Sequence, residues 1–120
     1  MTISGYDSKD IDAMISVLEK CCTILDASAD ADWSNMGTEE IQTIFTREIA
    51  SLKNIGRCDR AELTIIFSPT GALQEIALAN GWGALYTDLA AQFDAILERF
   101  NAHLEHLRKS VAVKKNTKDI

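Results

Sequence analysis

The chain has 120 residues, 47% of them apolar and 25% charged; this is the size and mix of one soluble domain, which can bury about two-thirds of its extended-chain surface without staples. No run approaches the ~20 apolar residues of a membrane span, and the opening Met-Thr-Ile-Ser-Gly-Tyr-Asp lacks a basic stretch followed by an apolar block, so neither membrane insertion nor secretion by the usual signal is expected. The net charge of −6 divides into −5 over residues 1–60, −5 over 61–107 and +4 over 108–120, an acidic body that repels phosphate backbones and so argues against nucleic-acid binding.

The first helix is predicted from a cap at Asp7 or Ser8 to about Ala27, with Asp10 and Asp12 at the positive end of the helix dipole. At 100° per residue, Ile11, Met14, Ile15, Leu18, Cys21, Cys22 and Leu25 share one face, within about 60° of Leu18. Residues 28–37 are polar and turn-rich, a loop anchored by the indole of Trp33. Thr38 is the expected cap of a second helix, whose apolar positions Ile41, Ile44, Phe45, Ile49, Leu52 and Ile55 recur at three- and four-residue steps up to a closing Gly56.

Asp59 is placed to cap a short third helix from Arg60 to about Phe67. The β-branched run Leu63-Thr-Ile-Ile-Phe67 also suits a strand, but no partner strand occurs elsewhere and helix is preferred. Pro69 ends this element, Thr70 offers the next cap, and Gly71 to Ala79 form a further turn or two before Asn80-Gly81. From Trp82 no breaker occurs for about thirty residues, and Trp82, Leu85, Tyr86, Leu89, Phe93, Ile96, Leu97, Phe100, Leu104, Leu107 and Val111 form one continuous stripe. The expected fold is therefore all-α, a compact bundle of four to five helices with a long C-terminal amphipathic helix. Residues 1–113 form one domain, and 114–120 form a basic, disordered tail.

Chemistry-bearing constellations are sparse. Cys21, Cys22 and Cys58 are an odd set with no C-x-x-C spacing; they read as small core residues of a protein in a reducing cytoplasm. His103 and His106 supply two ligands, too few for a metal centre, so no metal is expected. No Gly-x-Ser-x-Gly elbow or phosphate-cradling glycine loop is present, and no catalytic residue or cofactor is assigned. The most distinctive segment runs from Phe67-Ser-Pro-Thr-Gly-Ala-Leu-Gln-Glu75 to Asn80-Gly-Trp-Gly83. It reads either as a tight corner plugged by Trp82 or as a binding surface offering Thr70, Gln74, Glu75 and Asn80.

With Trp33-Ser34 following the first amphipathic helix, this segment and the final amphipathic helix resemble a family of small bacterial proteins over about residues 10–100. The resemblance implies the fold class and a bacterial cytosolic setting, and carries over no activity or site residue.

The leading functional reading is a protein–protein interaction module, an adaptor or immunity-type partner whose acidic surface steers it toward a basic protein. The alternatives are a small-molecule-binding or enzymatic domain centred on the Pro-Thr-Gly corner, and a structural homo-oligomer. Self-association is expected because the far end of the last helix, with Phe100, Leu104, Leu107 and Val111, outruns the shorter helices; a homodimer through that helix is the simplest solution.

Overall fold

The structure is a computed structural model that describes residues 6–31, 34 and 36–119, with side chains through Lys109. Five helices follow one another: α1 (Ser8–Asp26), α2 (Thr38–Ile55), α3 (Arg60–Phe67), α4 (Ala72–Ala79) and α5 (Gly83–Asp119). No strand occurs among the described residues. The expected all-α bundle with a long last helix is the architecture observed, and Leu63–Phe67 is helical.

Local chemistry explains most of the boundaries. Asp7 Oδ1 accepts the Lys9 amide at 2.8 Å and opens α1; Asp59 Oδ1 accepts the Glu62 amide at 3.0 Å and opens α3. Gly56 closes α2 at φ 66°, its amide donating to the Leu52 carbonyl. α4 ends in a Schellman motif, in which the amide of Gly81, at φ 80°, faces Leu78 O and that of Trp82 donates to Ala77 O.

Two expected caps are replaced. Thr38 is the first residue of α2 and its cap position is Gly37; the oxygen that receives the Thr38 amide is Oδ1 of Asp30, at 2.7 Å, reaching across from the loop. Thr70 is not the cap of α4, which is Gly71. Residues Ser68–Gly71 instead form a type II turn, with Pro69 at its second position, Thr70 at its third with φ 66°, and the Gly71 amide donating to Ser68 O at 2.9 Å.

α1 packs against both α2 and α5, so its buried set is wider than one face. Met14, Leu18, Cys21 and Leu25 are buried as the periodicity predicts, and Val17 joins them from the adjoining side. Phe45 of α2, Phe67 of α3 and Phe93 of α5 form an aromatic column, with ring centroids 5.6 and 4.2 Å apart. Trp82 is buried, and its Nε1 donates to Ser28 Oγ at 3.0 Å, tying the α4–α5 turn to the end of α1.

Among the described residues, the apolar stripes are broken at Ile55, Leu85 and Leu107. Ile55, in the last turn of α2, and Leu85, in the first turn of α5, are both exposed, because the bundle ends beside them. Phe100, expected to need a partner molecule, is only 1% exposed: the Tyr6 ring stacks on it with centroids 3.8 Å apart. Leu104 is half-buried beside the same cluster, and Leu107 is exposed. α5 continues unbroken past Asn101 and projects beyond the bundle, giving a radius of gyration of 16.8 Å and a long axis of 60 Å; a compact chain of this length would have about 13–14 Å. Trp33, the expected loop anchor, lies outside the described residues, as do the side chains of Val111 and of residues 114–120.

Candidate functional site

The Ser68–Gly71 turn sits at the junction of α3, α4 and α5 and forms one end of a groove of about 470 Å³. Phe67, Pro69, Tyr86 and Ala90 supply apolar surface to it, and Thr64, Gln74 and Asp94 are among its polar groups. The groove lies where the turn reverses the chain at the end of α3, beside the stacked rings of Phe67 on α3 and Phe93 on α5.

The turn is tightly determined. A Cβ on Gly71 would lie 2.8 Å from the carbonyl oxygens of both Ile65 and Ser68, so only glycine fits without the corner opening. Thr70 is the sole non-glycine residue with positive φ among those described. A β-branched residue there is strained, and such strain concentrates at functional segments. The side chain of Gln74 reaches back to receive the Thr70 amide, while the Thr70 hydroxyl donates to the Pro69 carbonyl.

The four residues expected to offer polar binding groups therefore separate. Thr70 belongs to the turn, with both its amide and hydroxyl protons engaged internally, and Gln74 lines the groove while locking that turn. Asn80 points away to α1: its Oδ1 accepts the Ala29 amide at 2.9 Å, and its Nδ2 donates to the Ala29 and Ile76 carbonyls at 2.8 Å each. Its role is to staple α4 to the α1–α2 loop. Glu75 is half-buried, and its carboxylate makes no hydrogen bond or ion pair among the described residues.

Two residues that sequence reasoning did not single out shape the groove. Tyr86 is buried, its hydroxyl donates to Phe67 O at 2.6 Å, and burial, followed by the charge of Asp94, pushes its phenol up. The phenol is thus a fixed O–H and neither a base nor a nucleophile at neutral pH. Asp94 brings an unpaired carboxylate to the rim, and Glu98, one helical turn further along α5, is exposed and likewise unpaired among the described residues. The i, i+4 spacing of Asp94 and Glu98 was available in the sequence, but only the position of α3 shows which side of α5 borders a groove.

The thiols are poor reaction centres. Burial pushes Cys21 and Cys58 up to about 12, and raises Cys22 as well; a reactive cysteine needs the opposite shift. No group of three or more His, Cys, Asp or Glu among the described residues could hold a metal ion, and none of their helices is long and apolar enough to cross a membrane. His103 is half-buried and His106 exposed. No known protein family, curated protein or solved structure matches the chain.

Proposed function

We propose that this protein is a protein–protein interaction module of the adaptor or immunity type, which receives a basic, apolar-anchored segment of its partner in the groove between α3, the Ser68–Gly71 turn and α5. The observation that carries the reading is the pairing of apolar walls at Phe67, Pro69 and Tyr86 with unpaired carboxylates at Asp94 and Glu98 on one stripe of α5. Apolar anchors supply contact area, while like-charged rims select and steer an oppositely charged partner. The small-molecule or enzymatic alternative has less to work with, because Thr70, Asn80 and Tyr86 already spend their polar hydrogens inside the protein. Three free cysteines and the resemblance to small bacterial proteins support a reducing bacterial cytoplasm as the setting.

Selection from a phage-displayed library of random peptides tests the groove. The enriched peptides are expected to combine Lys or Arg with an aromatic or leucine anchor. Their binding should be abolished by Ala91→Trp, which fills the groove, weakened by Asp94→Lys, and unchanged by Glu40→Lys on α2. Enriched peptides without basic residues, or peptides indifferent to Ala91→Trp, would overturn the reading.

A second reading concerns self-association. The segment of α5 within the bundle carries Asp88, Asp94, Glu98 and Glu105 against Arg99 alone, whereas the projecting end carries Arg108, Lys109, Lys114, Lys115 and Lys118. Two copies of α5 lying antiparallel place the basic end of each beside the acidic stretch of the other and cover Leu107. A parallel pair would bring the five cations together. The antiparallel homodimer is accordingly the assembly we propose.

A further inference from the structure

A second, smaller cavity of about 160 Å³ opens at the opposite end of α3, lined by Tyr6, Arg57, Cys58, Arg60 and Leu104. Its charge runs against that of the whole molecule. Arg47 is paired with Glu48 and Glu62, Arg99 with Asp10, and Arg108 with Glu105. Among the described residues, Arg57 and Arg60 are the two arginines without a carboxylate partner, and both line this one cavity.

The nearest acids are already committed. Glu48 accepts the Asp59 amide at 2.8 Å through Oε1 and Arg47 at 3.1 Å through Oε2, and Asp59 Oδ1 caps α3 by accepting the Glu62 amide. The Arg60 guanidinium is positioned by Asn101 Oδ1, which occupies one N–H and leaves its remaining donors available. The Cys58 thiol and the Tyr6 phenol complete the polar lining; both are raised above their ordinary values chiefly by burial, the thiol also by the charges of Glu48 and Asp59, while the charges of Arg60 and Arg57 reach the phenol. No carboxylate is among the residues that line the cavity.

We propose that this cavity binds a single oxyanion of the phosphate-monoester class, held between the Arg57 and Arg60 guanidinium groups. Guanidinium forks match such oxygens in pairs, and two of them held close together gain further by relief of their mutual repulsion. The volume corresponds to about five water molecules, enough for a phosphate with a small substituent and too little to enclose a nucleotide. The inference is independent of the groove, which lies at the other end of α3.

Isothermal titration calorimetry of the full chain at fixed ionic strength, with inorganic phosphate, phenyl phosphate and a phosphoserine peptide as separate probes, tests the site. Saturable one-to-one binding of at least one probe is expected, weakened about tenfold or more by either Arg57→Gln or Arg60→Gln. Lys53→Gln removes the same charge from the exposed surface and should leave binding unchanged. Arg57 is exposed and its side chain makes no hydrogen bond or ion pair among the described residues, so its variant should keep the fold, which circular dichroism verifies. Binding of inorganic phosphate alone identifies a free anion as the ligand; preference for phenyl phosphate or for the peptide identifies an ester on a small molecule or on a protein. Absence of saturation with all three up to about 10 mM, where even a site of millimolar affinity would fill, or equal weakening by Lys53→Gln, overturns the proposal.

Discussion

Cys21 shows how one buried side chain ties stability to pH. It is fully buried between α1 and its neighbours, and its thiol is pushed up to about 12, first by burial and then by the adjacent Cys22. As pH rises through the ordinary cysteine value of 9.0, the unfolded chain loses this proton while the native protein keeps it. The unfolded state then binds fewer protons, so stability is complete below pH 9 and falls as pH rises toward 12, at no more than about 1.4 kcal/mol per pH unit for one group. Cys21→Ala removes that contribution. Urea unfolding between about pH 9 and 10.5 is expected to show a steeper loss of stability in the wild type than in the variant; parallel losses would mean that the thiol ionises in the native state. The burial of Cys21 was legible from its place in the Leu18 face. Glu48 was not read, although it stands four residues from Ile44 and Leu52, at the centre of the buried stripe of α2. A carboxylate at such a position requires partners, and those it finds, Arg47 and the Asp59 amide, depend on how α3 is entered.

At the scale of the element, the α3–α4 connection carries opposite sensitivities at neighbouring positions. Thr70 occupies the third place of a type II turn, where φ must be positive and glycine or asparagine is preferred. Thr70→Gly relieves a strain of about 1–3 kcal/mol at the cost of a more flexible unfolded chain, so a net gain of about 1 kcal/mol is expected. Gly71→Ala does the reverse: its Cβ would meet two carbonyl oxygens at 2.8 Å, and forcing the turn open should cost about 2–3 kcal/mol. Thermal unfolding of the two variants checks both signs, and a stabilised Gly71→Ala would mean that the corner is loose. Pro69 and Gly71 made this turn visible in sequence. Its conformation was less so, because Thr70 looks like a cap, and only the Gln74 side chain reaching back reveals the cap one residue later. The helices themselves were legible because apolar spacing is a local property. The cap that Asp30 supplies to α2, the Asn80 staple and the stacking of Tyr6 on Phe100 were not, since each joins residues distant in sequence through an approach set by packing.

At the scale of the whole molecule, α5 sets the outline and is the element on which the proposed pairing rests. Thirty-seven residues of helix span about 55 Å at 1.5 Å per residue, close to the 60 Å long axis, so the bundle clothes only part of it. Because Tyr6 already covers Phe100, the apolar surface left at the projecting end is modest, with Leu107 its exposed large residue among those described. The antiparallel pairing proposed above therefore draws on charge more than on apolar area. Sedimentation of the full chain at low salt is expected to give twice the 13.2 kDa chain mass. Raising the salt to about 1 M, where screening acts within about 3 Å, should shift the pair toward monomer. Removing residues 108–120 leaves a body of net charge −10. It should remain folded with little change in its melting midpoint and sediment as a monomer at either salt concentration. A full-length chain that stays monomeric at low salt would overturn the pairing. A dimer that survives both high salt and truncation would instead place the interface on the bundle, where the exposed Ile65 and Leu78 are the large apolar side chains of α3 and α4 left for it.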